Sequence, residues 1–213
     1  MKTALITVGS TREYIDPVRY ITNESSGQQG MALIKSLIKN NFKVICLHGY
    51  LQVKPLISKK ISYIFTPNAE KMLKAAKKYK KVDLAIFNAA VADYRVENYQ
   101  KQKIKRDKNL TLKLKNNPDI LKTISNINTG PQITVGFAYE TNDVKANALK
   151  KLKKKNCDFL VLNYPISKNI IFNNKHTNGG IFNKKGHYHP IGNVTKTFFA
   201  NQVLRHILKA ENE

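Results

Sequence analysis

Three segments of this 213-residue chain combine residue types and spacings that can do chemistry. The first is a polar stretch from Gly9 to Gly30, carrying Arg12, Asp16, Arg19, Asn23 and Ser25-Ser26-Gly27. Polar loops of about 20 residues are uncommon in compact domains unless they bind something. Its glycines fall at 9, 27 and 30, too far apart for the G-x-G-x-x-G turn of a dinucleotide fold. Ser-Ser-Gly leads instead into a helix, whose first backbone N–H groups can hold a phosphate; the alternative is an ordinary capped loop. The second segment is Asn88-Ala89-Ala90-Val91-Ala92-Asp93-Tyr94. Small side chains there let a planar base or a sugar approach the backbone, and Asp93 can accept hydrogen bonds or hold a cation, although a strand end with small residues is common. The third, Lys103-Ile104-Lys105-Arg106, puts three cations in four residues. In an extended chain Lys103 and Lys105 share a face and Ile104 points away. That suits either a solvated edge or a flap that neutralises phosphates.

Apolar runs at 3–8, 43–47, 61–65, 82–87, 133–137 and 158–162 predict strands. Between them, helical spacing predicts helices over Gly30–Asn40, from Thr66-Pro67 onward, from Asn117-Pro118-Asp119 onward, and around Val144, Ala148 and Leu152. Threonine then proline, and asparagine then proline, read as N-cap and first helical position. TLKLK at 111–115 alternates like an exposed strand, 163–193 reads as loop with short hairpin strands around 180–189, and 195–210 as a closing helix. This alternation predicts a single domain over 1–213: an α/β, doubly wound, mostly parallel Rossmann-like sheet with a basic flap and a C-terminal helix. Ligands of such sheets sit beyond the carboxyl ends of the strands, so the loops after Val8, Phe87 and Phe137 are the place to look.

The formal net charge of +23 fits a nucleic-acid binder, but its lysines run from Lys2 to Lys209 without forming one block, and no zinc-finger, RNA-recognition or helix-turn-helix pattern accompanies them. The same excess draws in a nucleoside triphosphate or a phosphate ester. No stretch approaches the ~20 apolar residues of a membrane span, and the apolar start stops at Val8 without a cleavage site, so a cytoplasmic protein is expected. Cys46 and Cys157 lie in or beside apolar runs without CxxC spacing and read as reduced core thiols.

Taken in order, these blocks resemble the phosphopantothenate–cysteine ligase family. The resemblance rests on Gly9–Glu13, Ile15–Asn23, Ser25-Ser26-Gly27, Ala89–Tyr94, Lys103-Ile104-Lys105, Asn117–Ile120, Val135–Ala138, Glu140-Thr141, Lys151–Lys155, Asp158 and Asn163. It covers roughly residues 3–163, and the run from Asp16 to Gly27 is its most specific part. The chain departs from the family at Ser10, usually glycine; Glu24, usually histidine; Gln28-Gln29, usually lysine-methionine; and Tyr139, usually alanine. The resemblance implies a ligase of coenzyme A biosynthesis. It would join 4′-phosphopantothenate to cysteine through an acyl-cytidylate and release pyrophosphate and CMP. The Lys-Ile-Lys segment looks like the bacterial form, which uses CTP. By motif match Asn23 contacts the activated acyl group and Lys103 serves the flap. Gly9, Ser26 and Gly27 belong to the binding loop, and Asn88 and Ala89 to the cytosine pocket. Asp93 and Asn117, Pro118, Asp119 and Ile120 bind the nucleotide, Phe137 packs beside it, and Lys151 and Lys155 hold phosphates. Magnesium is expected with the triphosphate, with no protein side chain assigned as its ligand. A homodimer with the site near the subunit interface and a separate phosphopantothenoylcysteine decarboxylase are further expectations, with no nucleic-acid or membrane partner. On the residues alone, Asn117 also reads as a plain helix cap, Phe137 as core, and the two lysines as ordinary helix-end residues.

Two other constellations compete. Asn88-Ala89-Ala90 and Tyr99-x-x-x-Lys103 fit a short-chain NAD(P) oxidoreductase, which needs the tyrosine and lysine on one helix. His176, His187 and His189 are a candidate metal set without a cysteine or acidic residue nearby.

Overall fold

A computed structural model describes residues 1–106, 109–165 and 175–210. In chain order the elements are β1 (Thr3–Val8), β2 (Glu13–Tyr14), β3 (Tyr20–Ile21), α1 (Gln28–Lys39), β4 (Lys43–His48), β5 (Ile61–Phe65), α2 (Ala69–Lys78), β6 (Leu84–Phe87) and β7 (Tyr94–Val96). They continue with β8 (Leu114–Asn116), α3 (Ile120–Ser125), β9 (Ile133–Tyr139), α4 (Val144–Lys155), β10 (Phe159–Asn163), β11 (His176–Asn183), β12 (Tyr188–Thr195) and α5 (Lys196–Ala210).

Eight strands form the central sheet in the order β12-β11-β10-β9-β6-β1-β4-β5. The six from β10 to β5 are parallel, and β11 and β12 join antiparallel at one edge. Numbered in chain order, the parallel strands run 3-2-1-4-5-6 across the sheet, the order of a doubly wound fold whose switch point lies between β1 and β6. β1 and β6 are apolar on both faces because helices cover both. On one face α1 and α5 pack Leu33, Ile34, Leu37, Phe199, Val203 and Ile207 against Ile6, Val8 and Val44. Each such fully buried side chain contributes about 1.5–3 kcal/mol. On the other face Met72 and Ala76 of α2 and Ile120 and Ile124 of α3 cover Leu5 and Phe87, while Leu152 of α4 packs with Leu160 and Phe182.

Two predicted helix starts move. α2 is capped by Asn68, whose side chain accepts the Lys71 N–H at 2.9 Å. Thr66 instead donates its hydroxyl to the His48 carbonyl, and the Pro67 carbonyl accepts the Arg12 N–H. α3 is capped by Asp119, not by Asn117. Where the sequence predicts loop over 163–193 with short hairpin strands around 180–189, the hairpin is longer: two eight-residue strands, β11 and β12, the second running on to Thr195, with a bulge between Gly179 and Gly180. That bulge and Pro190 break the alternation by which a strand is recognised. The strand expected at 111–115 shrinks to the three residues of β8, paired with β7 as a small arm; part of the 164–194 loop region lies outside the described residues.

Candidate functional site

The site begins where β1 stops. Gly9 turns the chain with a left-handed φ of 80°, and a Cβ there would lie 2.5 Å from the Tyr50 carbonyl oxygen. Beyond it, Ser10 and Tyr50 exchange backbone hydrogen bonds of 3.1 and 2.8 Å, and the Ala90 N–H donates to the Gly9 carbonyl at 2.8 Å. Two buried threonines stitch the loop after β6 to β1 and to the loop that follows β1. The Ala89 N–H donates to Thr7 Oγ1, and the Ala92 N–H to Thr11 Oγ1. The loops after β1 and β6 therefore leave the switch point side by side.

The polar loop then returns toward α1. Asn23 donates from Nδ2 to the Val91 carbonyl at 3.1 Å, tying it to the other loop. Gly27 caps α1 in a left-handed conformation without a side-chain cap bond. Ser25 and Ser26 accept N–H bonds from Gly27 and Gln28 at 3.3 and 3.4 Å, at the long end of the range and readily exchanged for a ligand oxygen. α1 sits close on the sheet because residue 30 is glycine; a Cβ there would lie 2.3 Å from Val8 Cγ1.

Two adjoining cavities open over these loops. The smaller, about 620 Å³, is lined by Ala89 and Asp93, by the turn Asn117–Ile120, by Phe137, and by Lys151 and Lys155. The larger, about 1060 Å³, has Asn23, Ser26, Gly27 and Asn88 on one side and Tyr139, Asn163 and Lys196 on the other. Ala89, Val91, Asp93 and Phe137 line both and form the wall between them. Gly9 and Lys103 line neither. Of the residues where the chain departs from its family pattern, Glu24, Gln28, Gln29 and Tyr139 line the larger cavity.

Asn117 does something a cap could not. Its Nδ2 donates to the Ala92 carbonyl at 2.8 Å, its Oδ1 accepts from Arg95 Nη1 at 2.8 Å, and its N–H donates to the Asp93 carbonyl. It fixes the α3 turn to the strand-end loop, while Asp119 caps α3 through the Lys122 N–H. Asp119 also pairs with Lys155, and Lys151 Nζ lies 2.7 Å from Glu140 Oε1. The two lysines thus stand at the cavity with counter-carboxylates that an arriving polyanion must share or displace. Lys154 lines the same cavity and has no ion-pair partner among the described residues. Sequence reasoning missed it, although 151, 154 and 155 share a helical face by spacing. It also missed Lys196 at the start of α5, and the β11 residues His176, Thr177 and Asn178 of the larger cavity, which lie before the short hairpin strands expected around 180–189. Burial lowers the Lys196 ammonium pKa.

The basic segment is anchored away from both cavities. The Asp16 side chain is fully buried and accepts the N–H groups of Val18, Arg19 and Ile104 at 2.9, 2.8 and 3.2 Å. Arg19 donates from Nη1 to Asp16 and from Nη2 to the Ile104 carbonyl, both at 3.1 Å. Lys103, Lys105 and Arg106 are exposed and Ile104 is half-buried, as the alternation predicts. Nearby, the Arg12 guanidinium lies 3.7 Å from the Tyr50 ring centroid and 4.3 Å from that of Tyr20.

The competing constellations do not assemble. Residues 97–106 form no helix, so Tyr99 and Lys103 lack the shared face that an oxidoreductase needs. His176 and His189 lie near opposite ends of the hairpin, His189 stacks on His206, and no cluster of three His, Cys, Asp or Glu occurs among the described residues. Cys46 and Cys157 are free and buried, and burial pushes their thiols up to about 12 and about 11, far from a thiolate nucleophile. Among the described residues no helix is long and apolar enough to cross a membrane.

Strand order and crevice make this a Rossmann-like α/β protein with its cleft at the switch point. The chain belongs to the family described as DNA/pantothenate metabolism flavoprotein C-terminal domain, which matches residues 1–210. It is similar to the coenzyme A biosynthesis bifunctional protein CoaBC of Haemophilus influenzae, with 39% identity over 85% of this chain and 45% of that protein. The CoaBC protein of Bacillus subtilis is 36% identical over 97% of this chain and 51% of its own length. The chain thus spans about half the length of these curated relatives. The crystal structure of the C-terminal domain of a CoaBC protein superposes with a TM-score of 0.81 at 31% identity, covering 100% of this chain and 98% of that one.

Proposed function

We propose that this chain joins (R)-4′-phosphopantothenate to L-cysteine at the expense of CTP, a ligase step of coenzyme A biosynthesis. The observation that supports it most is the wall of Ala89, Val91, Asp93 and Phe137 shared by two cavities. A triphosphate in one cavity and an acid in the other would meet at that wall, and proximity of this kind is worth several kcal/mol of barrier. The nucleotide goes to the smaller cavity, its base against Ala89 and Phe137 and its phosphates toward Lys151, Lys154 and Lys155. The acid goes to the larger one, beside Asn23 and the Ser26-Gly27 helix start.

The acid's carboxylate oxygen attacks the α-phosphorus of CTP. One O–P bond forms, the α–β bridge breaks, and pyrophosphate leaves with the electron pair. The cysteine amine then attacks the acyl carbon, loses a proton to solvent, and expels CMP. No enzyme nucleophile is required, in keeping with two inert thiols. Asn23 holds the acyl oxygen and Lys103 offsets charge during the second step. Magnesium takes most of its ligands from phosphates and water and one or two from carboxylates, which Asp93 at the shared wall fits. Bound there it would neutralise the leaving pyrophosphate. A homodimer and a separate decarboxylase that consumes the product complete the reading.

The test is pyrophosphate release from CTP and 4′-phosphopantothenate, with and without cysteine. Release without cysteine, and peptide-bond formation only with it, is expected; no release under either condition overturns the assignment. Asn23→Ala should lower product formation by about 10²–10³-fold with an unchanged circular dichroism spectrum. Near-normal turnover removes Asn23 from the chemistry. Lys103→Gln should slow the cysteine step more than pyrophosphate release, and equal slowing of both would rule out its role.

A further inference from the structure

We infer that Asp16 and Arg19 are positioning residues for the basic segment, gripping it by the backbone of Ile104 so that Lys103 is delivered at a fixed distance from the acid-binding loop. The inference rests on the proposed ligase reaction for its catalytic part and on geometry alone for the grip.

The grip joins residues 88 positions apart through both backbone polar groups of one residue: the Ile104 N–H donates to Asp16 Oδ2 at 3.2 Å, and its carbonyl accepts from Arg19 Nη2 at 3.1 Å. The same Asp16 oxygen takes Arg19 Nη1, so carboxylate, guanidinium and peptide close a ring. The rest of the loop has no need of this ring. Asp16 Oδ1 already organises the Val18–Arg19 turn, and the Ile15 carbonyl separately receives the Gln100 N–H at 2.9 Å. Oδ2 and the outer guanidinium nitrogen are thus committed to a residue whose two neighbours are exposed lysines. The ring lies on the loop that carries Asn23, four residues beyond Arg19, so the acid site and the basic segment share one support. Burying the Asp16 carboxylate beside a part-exposed Arg19 guanidinium costs desolvation that a purely structural turn can avoid. A pair of which Oδ2 and Nη2 both end on the backbone beside Lys103 is explained by positioning.

Ile104→Pro tests it, because proline removes the N–H that Asp16 accepts and also fixes φ at 104 and restricts Lys103, so the grip cannot re-form; Ile104→Val keeps donor and backbone freedom as the conservative control. Two measurements are made on the full chain. The first is trypsin cleavage after Lys105 and Arg106, the two sites whose following residue the substitution leaves unchanged, read by mass spectrometry. The second is the ratio of pyrophosphate released to peptide product formed. In Ile104→Pro cleavage should rise at least about tenfold, and product should fall by a similar factor while pyrophosphate release stays near wild type; Ile104→Val should behave as wild type. Unchanged cleavage overturns the grip. Raised cleavage with an unchanged ratio overturns positioning and leaves only a structural tie. If the unaltered protein releases no pyrophosphate, the ligase reading falls and the cleavage measurement alone decides the grip.

Discussion

At the scale of single residues, the site turns on side chains whose partners lie far along the chain. Asn117 sits before a proline and looks like a cap, but its amide spans from Ala92 to Arg95 and holds the nucleotide-side turn against the β6 loop. No local pattern could reveal that, because Ala92 is 25 residues away. Asn117→Ala should cost about 1–2 kcal/mol in chemical denaturation and raise the nucleotide KM more than that of the acid. An equal rise in both would place its effect outside the smaller cavity. Gly30 is just as tightly determined, since an added methyl meets Val8. Gly30→Ala should lower stability by about 1–3 kcal/mol by overpacking, measured as a fall in denaturation midpoint without a change in slope. Asp16 gives a pH prediction. Burial pushes its carboxyl up, but the N–H groups of Val18, Ile104 and Arg19 and the Arg19 charge outweigh that and hold it below its ordinary value. The stabilisation is therefore complete above the unfolded-state value of about 3.9 and is lost as pH falls through the lower folded one. The Ile104 amide should keep its hydrogen-exchange protection from neutral pH to about pH 4 and lose it on further acidification; protection that is flat with pH would contradict the link.

At the scale of elements, legibility followed burial. β1 and β6 are covered on both faces and read as unbroken apolar runs, so their places in a parallel sheet were plain in the sequence. The residues at their carboxyl ends, Asn88 to Asp93, were legible for the same reason. β12 is mostly half-exposed and exposed, is interrupted by Pro190 and Gly192, and gave no such signal. With it went the far side of the larger cavity. Helix starts were legible only to within two residues, because a proline offers one register and the competing hydrogen bonds choose another. Asn68→Ala should cost about 1 kcal/mol of stability as the Lys71 N–H loses its acceptor. If Asn68→Ala is neutral, its side chain is not the cap.

At the scale of the whole molecule, the net charge of +23 acts as a field. At low ionic strength it concentrates anions around the cleft, and Lys151, Lys154 and Lys155 focus them at one mouth. Raising the salt shortens the screening length from about 10 Å at 0.1 M to about 3 Å at 1 M. The kcat/KM for the nucleotide should therefore fall several-fold across that range with kcat little changed, in steady-state assays at fixed magnesium. A parallel fall in kcat would mean that salt acts on the chemistry or the fold. The Arg12 cluster has an optical consequence. The chain has no tryptophan, and three of its ten tyrosines, Tyr14, Tyr20 and Tyr50, crowd around one guanidinium on the loop that leads to Asn23. Ultraviolet emission therefore carries a share from that loop undiluted by indole light, and an acid settling beside Asn23 becomes visible through the brightness of the unlabelled protein.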